Sequence, residues 1–288
     1  MNVVMVVLSL LGWLTIESPY GQAVAAFQRG QYQEVLALLD RLPGRAAPRP
    51  AVLNLRAVTL AELHRFDEAL AASQEATRLE PGNPNYISNI GLIYLAQNNS
   101  REAEKIFRAA IGRFPQSSRL YEGWGESLLA MNHFEDSEAA LQKAVDLDPA
   151  SADAQVGLAK LLYAIGKEEQ FGAAASKAIQ LNPQSPAACY YYGKYLIEDQ
   201  QHFAQGAEYV RRSITLSPNF VEGLVEWGVV LSHERRWDEA ADAYEKALAN
   251  EPNNLRVCYL LYRACLKSGR ARRAAWALQK YRMLSKPP

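Results

Sequence analysis

Cysteine is scarce in this chain, with three in 288 residues. So small a number excludes the disulfide-rich scaffolds of small secreted proteins. Cys258 and Cys265 lie seven residues apart in one segment of helical periodicity, which is about 10 Å along a helix axis. Bridged cysteines have Cα atoms within about 7 Å of each other, so this pair cannot close. We expect all three cysteines, including Cys189, to be small core residues.

Long apolar runs are also scarce, and one stands out at the N-terminus. Val3–Ile16 contains fourteen uncharged residues, fewer than the roughly 20 that a membrane-spanning helix needs. Its length fits a secretory leader over residues 1–18, which predicts a protein exported by a bacterium, for example to the periplasm. However, the first basic residue is Arg29, and the small-residue cleavage sites at 21–25 fall in a predicted helix. The alternatives are an uncleaved membrane anchor, or an apolar helix packed on the end of a cytoplasmic protein.

Acidic residues are absent after Glu251, although the whole chain is neutral, with 31 basic and 31 acidic side chains. The neutral total gives no general attraction to nucleic acid or membranes. The last segment, in contrast, is strongly basic, and the remainder must be acidic by the same amount. Its cations are Arg256, Arg263, Lys267, Arg270, Arg272, Arg273, Lys280, Arg282 and Lys286.

What the chain does contain is a repeat of nearly fixed length. Prolines recur at intervals of 34, 34, 34, 35 and 34 residues, namely Pro81, Pro115, Pro149, Pro183, Pro218 and Pro252. If each repeat is started three residues after a proline, glycine recurs at position eight, for example at Gly91 and Gly125. Large residues recur three positions later, as at Tyr94 and Leu128. Spacings of three, four and seven in each half of the repeat predict the buried face of a helix.

Each repeat is therefore predicted to consist of two helices joined by a polar turn, such as the turn at 132–134. The second helix ends at the proline, which cannot continue a helix. Pro84 and Pro186 open the next helix, where a missing N–H costs nothing.

This pattern resembles the tetratricopeptide repeat, in which a large residue, Leu-Gly, Tyr, Ala, Phe, Ala and Pro recur over 34 residues. The segment Tyr86–Pro115, YISNIGLIYLAQNNSREAEKIFRAAIGRFP, fits nearly every position of that pattern. The resemblance implies an all-α fold, a right-handed superhelical solenoid of stacked helix-turn-helix repeats. It also implies a protein that binds other proteins.

The repeat frame predicts the domain organisation. Six repeats cover 50–83, 84–117, 118–151, 152–185, 186–220 and 221–254, flanked by a divergent N-terminal repeat at 19–49 and a divergent basic C-terminal repeat at 255–288. Two repeats depart from the pattern. Phe171 replaces a small residue, which predicts altered helix packing around it. An extra residue near Gln200 and Gln201 predicts a bulge in that turn.

Catalytic constellations are not found in the sequence. His64, His133 and His202 recur at intervals of 69 residues, two repeat lengths, so stacking holds them apart in equivalent turns. The segments 123–127 and 267–271 resemble nucleophile and phosphate-binding motifs only superficially, because neither follows a strand. We therefore expect no enzymatic activity, no metal, no cofactor and no small-molecule substrate.

The binding function implied by the resemblance falls on the first helix of each repeat. In this family positions two, five, nine, twelve and thirteen commonly contact an extended peptide or a partner helix in the concave groove. In this sequence those positions hold Glu122, Glu126, Lys160, Tyr163, Tyr190, Lys194, Arg256, Tyr259, Arg263 and Lys267. A tyrosine beside a lysine offers a flat apolar area and a charge for an acidic group on a peptide or protein. The alternative is that these groups only keep an exposed helix face soluble.

The basic C-terminal repeat suggests a second function. Cations interleaved with aromatic residues are typical of surfaces that bind nucleic acid or an anionic membrane. Arg270, Arg272 and Arg273 would carry such an electrostatic tether. The alternative is a charged face required for solubility, with Tyr262 and Trp276 as packing residues.

Overall fold

The computed structural model describes residues 18–42 and 49–285, and over these ranges the chain is helical with no strand. The sixteen helices are α1 (Pro19–Gln28), α2 (Tyr32–Asp40), α3 (Arg49–Glu62), α4 (Phe66–Leu79), α5 (Pro84–Ala96), α6 (Ser100–Arg113), α7 (Ser118–Ala130), α8 (Phe134–Leu147), α9 (Ala152–Ala164), α10 (Glu168–Leu181), α11 (Pro186–Ile197), α12 (Phe203–Leu216), α13 (Val221–His233), α14 (Trp237–Asn250), α15 (Leu255–Lys267) and α16 (Ala271–Leu284). None of them is both long and apolar enough to cross a membrane. The apolar run at Val3–Ile16 lies outside the described residues.

Capping residues and prolines define where the helices begin. The side chain of Asn83 accepts a hydrogen bond from the backbone N–H of Asn85 at 3.1 Å, directly before Pro84 opens α5. The hydroxyl of Ser185 accepts one from Ala188 at 3.3 Å, just before Pro186 opens α11. These side chains satisfy backbone donors that have no partner within the helix.

The turn between the two helices of a repeat has a nearly constant geometry. Most of these turns contain one residue with a positive φ, at Gly30, His64, Asn98, Asn132, Gly166, Arg235 and Gly269. The turn between α11 and α12 differs, because it spans residues 198–202 and has no such residue. The inserted residue therefore lengthens the turn and removes the left-handed position, which confirms the predicted bulge.

The described helices divide into two compact units, α1–α8 and α9–α16. In each unit the two helices of every repeat pack as a hairpin. Successive first helices also contact each other, α1–α3, α3–α5 and α5–α7 in the first unit and α9–α11 and α11–α13 in the second. The predicted all-α architecture of stacked helical hairpins is confirmed.

Small residues allow this close stacking in the first unit. Phe107 of α6 is fully buried, and its ring fills the space where Cβ atoms at Gly91 and Gly123 would otherwise lie. A side chain at either glycine would overlap the ring. The glycines of two successive first helices thus form the socket for one aromatic residue of a second helix.

The second unit has an aromatic core around Phe171. This residue is buried, and its ring centroid lies 5.3 Å from that of Tyr163, 6.4 Å from Tyr191 and 5.9 Å from Tyr195. Tilted and edge-to-face contacts of this kind are favourable between aromatic rings. The replacement of a small residue by Phe171 therefore changes the local packing, as predicted.

The cysteines are also placed as expected. Cys189, Cys258 and Cys265 are buried and unbridged. Burial raises the pKa of each thiol above its usual value, which keeps the side chains protonated and unreactive.

Candidate partner-binding surface

The ten residues predicted to contact a partner fall into groups with different surroundings. Glu122 and Glu126 are half-buried on α7, in the first unit. On α9 of the second unit, Lys160 is half-buried and Tyr163 is 42% exposed. The remaining six residues lie on α11 and α15, also in the second unit, and these two helices show opposite behaviour.

On α11, the predicted cation is buried in an ion pair. Lys194 Nζ lies 2.7 Å from Glu226 Oε2 of α13, and the two side chains are only 7% and 6% exposed. The same ammonium lies 4.6 Å from the ring centroid of Tyr163 and 6.0 Å from that of Tyr190. A carboxylate and two aromatic rings therefore already satisfy the charge of Lys194.

Tyr190 is buried beside this ion pair and is 8% exposed. Its ring lies edge-on to Phe220, the residue that caps α13, with centroids 5.6 Å apart. Burial, and then the negative charges of Glu226 and Glu222, raise the pKa of Tyr190 well above its usual value, while Arg256 acts in the opposite direction. The hydroxyl therefore stays protonated.

Glu226 is not among the residues predicted from the sequence. It stands at position six of its repeat, outside the positions that line the family's groove. A signal was present, because the same position holds uncharged residues in the other repeats, namely Leu55, Asn89, Gly123, Gly157, Tyr191 and Leu260. A carboxylate where uncharged residues recur indicates a buried partner of opposite charge.

On α15, the predicted residues are exposed. We call Arg256, Tyr259, Arg263 and Lys267 the α15 surface; all four are exposed to solvent, Tyr259 by 42%. Residues three, four or seven apart in a helix share one face, so these four form a stripe along α15. Within the described part of the chain, none of the three cations has an ion-pair partner.

Tyr259 is held in place by its neighbours while its outer side remains open. Its ring centroid lies 5.4 Å from that of Tyr281 in α16 and 6.3 Å from that of Tyr262. The guanidinium of Arg263 lies 6.0 Å from the Tyr259 centroid. The α15 surface thus presents a supported aromatic ring next to a cation, an arrangement enriched in the energetic centres of protein interfaces.

Two of the three arginines proposed for an electrostatic tether are paired within the protein. Arg270 lies 2.8 Å from Asp238 and 2.7 Å from Asp242, both of α14. Arg273 lies 2.5 Å from Glu245 of α14 and 4.2 Å from the centroid of the exposed Trp276 ring. Only Arg272 of the three has no ion-pair partner among the described residues.

The first unit has a polar network on its first helices. Asn89 of α5 donates to Asn54 of α3 at 2.5 Å, and Arg119 of α7 donates to Asn89 at 3.0 Å and to Ser88 at 3.1 Å. The three side chains from α3 and α5 are buried. The network links three successive first helices and uses its donors and acceptors internally.

The first unit also has an open cavity of about 540 Å³ between α2, α3 and α4. Its charged groups pair with each other, Arg56 with Asp40 at 2.6 Å and Arg65 with Glu68 at 2.7 Å. Across residues 18–42 and 49–285, no cluster of three or more His, Cys, Asp or Glu side chains is arranged to hold a metal ion. The α15 surface is therefore the strongest candidate for binding.

Comparison with known families agrees with this architecture. Models of the tetratricopeptide repeat match residues 122–186 and 196–254, and residues 60–122 and 231–284. Together they cover well over half of the chain. The chain belongs to the tetratricopeptide-repeat family. No curated protein matches its sequence.

Solved tetratricopeptide-repeat structures and related folds are similar at low sequence identity. A chain of the APC/C hetero-tetramer Cut9–Hcn1 has a TM-score of 0.72 and 16% identity, covering 96% of this chain, which spans only 54% of that chain. Human IFIT1, in a dimer with m7Gppp-AAAA, has a TM-score of 0.65 and 17% identity; the match covers 96% of this chain and 70% of the IFIT1 chain. Pseudomonas aeruginosa pilF has a TM-score of 0.56 and 22% identity; the match covers 69% of this chain and 91% of the pilF chain. Identities this low show the fold alone.

Proposed function

We propose that this tetratricopeptide-repeat protein is a non-enzymatic scaffold that binds a protein or peptide partner through the first helices of its second unit. The family and the stacked repeats support an interaction scaffold. In a repeat array each unit contacts only its neighbours, which leaves long surfaces free for a ligand. The location of the contact is our proposal.

The single observation that carries the proposal is the exposure of the α15 surface. Arg256, Arg263 and Lys267 are solvated cations on one face of a helix, beside a half-exposed tyrosine. Arg263 lies beside the ring of this tyrosine, which two further tyrosines, Tyr262 and Tyr281, also contact. Such a surface provides apolar contact, hydrogen-bond donors and charge to one ligand.

Tyr163 and Lys160 on α9 extend the proposed surface within the same unit. Tyr163 covers the ammonium of Lys194 on one side and is open to solvent on the other. A partner that contacts Tyr163 would therefore bind an apolar ring, without access to the charge beneath it. We assign Lys194 and Tyr190 to the support of this surface.

The experiment is affinity capture from an extract of the native host with three baits. The first is the wild-type chain, and the second replaces the α15 cations, as Arg256→Glu, Arg263→Glu and Lys267→Glu. The third is a control with the same change of charge on exposed positions of second helices, Lys143→Glu, Lys177→Glu and Lys246→Glu. Proteins are identified by mass spectrometry after washes of increasing salt.

We expect a discrete set of proteins to survive high salt on the wild-type and control baits and to be lost from the α15 variant. Equal capture by all three baits would contradict the proposal. The electrostatic tether predicts something else, namely nucleic acid or lipid that is released at modest salt. That material would disappear with Arg270→Glu, Arg272→Glu and Arg273→Glu, so the two functions are separable.

A further inference from the structure

The second unit contains an internal example of how a surface like α15 is covered. The α11 residues Tyr190 and Lys194 are covered by two residues from the start of α13. The ring of Phe220 contacts the ring of Tyr190 edge-on, and Glu226 pairs with Lys194. An aromatic residue at the beginning of a helix and a carboxylate six residues later thus bury a tyrosine and a cation four residues apart.

The α15 surface presents the same pair of groups at the same repeat positions. Tyr259 corresponds to Tyr190 at position five, and Arg263 corresponds to Lys194 at position nine. The residue before the tyrosine is a buried cysteine in both repeats, Cys189 and Cys258. Both helices therefore present an aromatic ring and a cation in the same order and spacing, on backbones of the same conformation.

The two surfaces differ in what covers them. Tyr190 is 8% exposed and Tyr259 is 42% exposed. Tyr281 and Tyr262 contact one side of Tyr259 but leave it exposed, and in the described part of the chain no carboxylate pairs with Arg263 as Glu226 does with Lys194. The tyrosine and the cation of α15 are thus exposed, whereas the equivalent pair on α11 is buried.

We propose that the α15 surface binds a helix of a partner protein, with an aromatic residue at the start of that helix and a carboxylate about six residues later. This inference rests on the proposed function and names the chemistry of its partner. The aromatic residue would pack on Tyr259 and the carboxylate would pair with Arg263, as Phe220 and Glu226 do on α11.

The flanking charges favour an acidic helix over a neutral one. Arg256 lies seven residues before Arg263 and Lys267 four residues after it, which is about 10 Å and 6 Å along α15. Carboxylates one or two turns apart on a partner helix match these distances. On α11 a single cation is satisfied by a single carboxylate, whereas none of the three α15 cations has an ion-pair partner among the described residues.

The inference is tested with a peptide that carries the two residues by which α13 covers α11. The peptide comprises residues 217–235, which contain Phe220 and Glu226. A cross-link between the side chains at 229 and 233, one helical turn apart, keeps it helical, as verified by circular dichroism. Binding of the labelled peptide to the full chain is measured by fluorescence anisotropy. Because α15 is proposed to accept a helix with this pattern, the α13 peptide itself must bind.

A charge swap identifies the contact. Arg263→Glu in the protein, or Glu226→Lys in the peptide, is expected to weaken binding by about tenfold or more. The two changes together should restore the affinity to within about threefold of the original pair. Glu234→Gln in the peptide is the matched control, since Glu234 has no counterpart in the pattern, and it should leave the affinity unchanged.

The inference is overturned if the peptide does not bind, or if the two single charge changes add without any recovery in the swapped pair. Displacement of the natural α13 by the peptide is disfavoured, because α13 is tethered to α11 at a high effective concentration. The result is also separable from the proposed function. Capture that depends on the α15 cations, together with failure of the peptide, would keep the binding surface and reject the helical acidic partner.

Discussion

Two helices of the second unit carry a tyrosine and a cation at the same repeat positions, but in different surroundings. On α11, Tyr190 and Lys194 are buried by Phe220, the N-cap of α13, and by Glu226 of α13, which satisfies the lysine charge. On α15, Tyr259 and Arg263 face solvent. The comparison shows that a residue's position in a repeat fixes the direction of its side chain, whereas the adjacent repeat decides whether that side chain is available to a ligand.

Breaking the buried ion pair between Lys194 and Glu226 should lower the free energy of unfolding more than any other change considered below. Lys194→Met leaves the carboxylate of Glu226 buried without a partner, and we expect a loss of roughly 3–5 kcal/mol in the free energy of unfolding. Arg263→Met, at the same position on α15, should change stability by less than about 0.5 kcal/mol because its side chain is solvated. Urea unfolding followed by far-UV circular dichroism measures both.

A double substitution separates the loss of charge pairing from the loss of packing. Lys194→Met combined with Glu226→Leu removes both charges and leaves apolar side chains of similar volume. Replacing a whole buried ion pair in this way is often neutral or stabilising. If the double variant were as unstable as the single one, the loss would come from packing and the ion pair would not explain the difference between α11 and α15.

A second, smaller effect tests the repeat frame on which the comparison depends. At Gly125 an added Cβ would lie 2.5 Å from Cγ of Leu141, so Gly125→Leu should overpack this crossing and cost roughly 1–3 kcal/mol. Gly112 lies in α6 with no atom within 4 Å of an added Cβ. Gly112→Leu should therefore be neutral or stabilise by up to about 1 kcal/mol. Equal melting temperatures for both variants would show that position eight is not a close crossing.

The pH dependence of stability should show a still smaller effect, which depends on the Tyr190 hydroxyl. Because burial and nearby carboxylates raise the pKa of Tyr190 in the folded state, its contribution to stability is complete below the unfolded pKa of about 10. That contribution is lost as the pH rises further, since the unfolded state releases the proton first. Tyr190→Phe should thus flatten the decline in melting temperature between about pH 9 and pH 11. An unchanged slope would mean that the hydroxyl is better hydrated than its burial indicates.

The fold was largely predictable from the sequence, because its determinants are local and repeated. The proline period, the small residue at position eight and the extra residue near Gln200 correctly indicated the hairpins and the altered turn. The family's groove positions also led to both Tyr190 with Lys194 and Tyr259 with Arg263. Their accessibility could not be derived in this way, because it depends on Phe220 and Glu226, which lie about thirty residues further along the chain.

The paired arginines at the start of α16, its N-cap Arg270 and Arg273, illustrate the same point. Arg270 and Arg273 are part of a basic run in the sequence, which suggests a free positive surface. In the structure, α14 provides Asp238, Asp242 and Glu245 as partners for them. These acids lie some thirty residues earlier, so a count of charges along the chain cannot reveal the pairing.

Site-specific photocrosslinking in host cells shows directly whether a partner contacts the α15 surface. A benzoylphenylalanine is placed at Tyr259, and a control is placed at Phe134, an exposed residue of α8. We expect a discrete crosslinked partner from position 259 that is lost when Arg263→Glu is added, with no such product from position 134. Absence of a product from position 259, or a product that is unaffected by Arg263→Glu, would contradict the assignment of the α15 surface as the binding site.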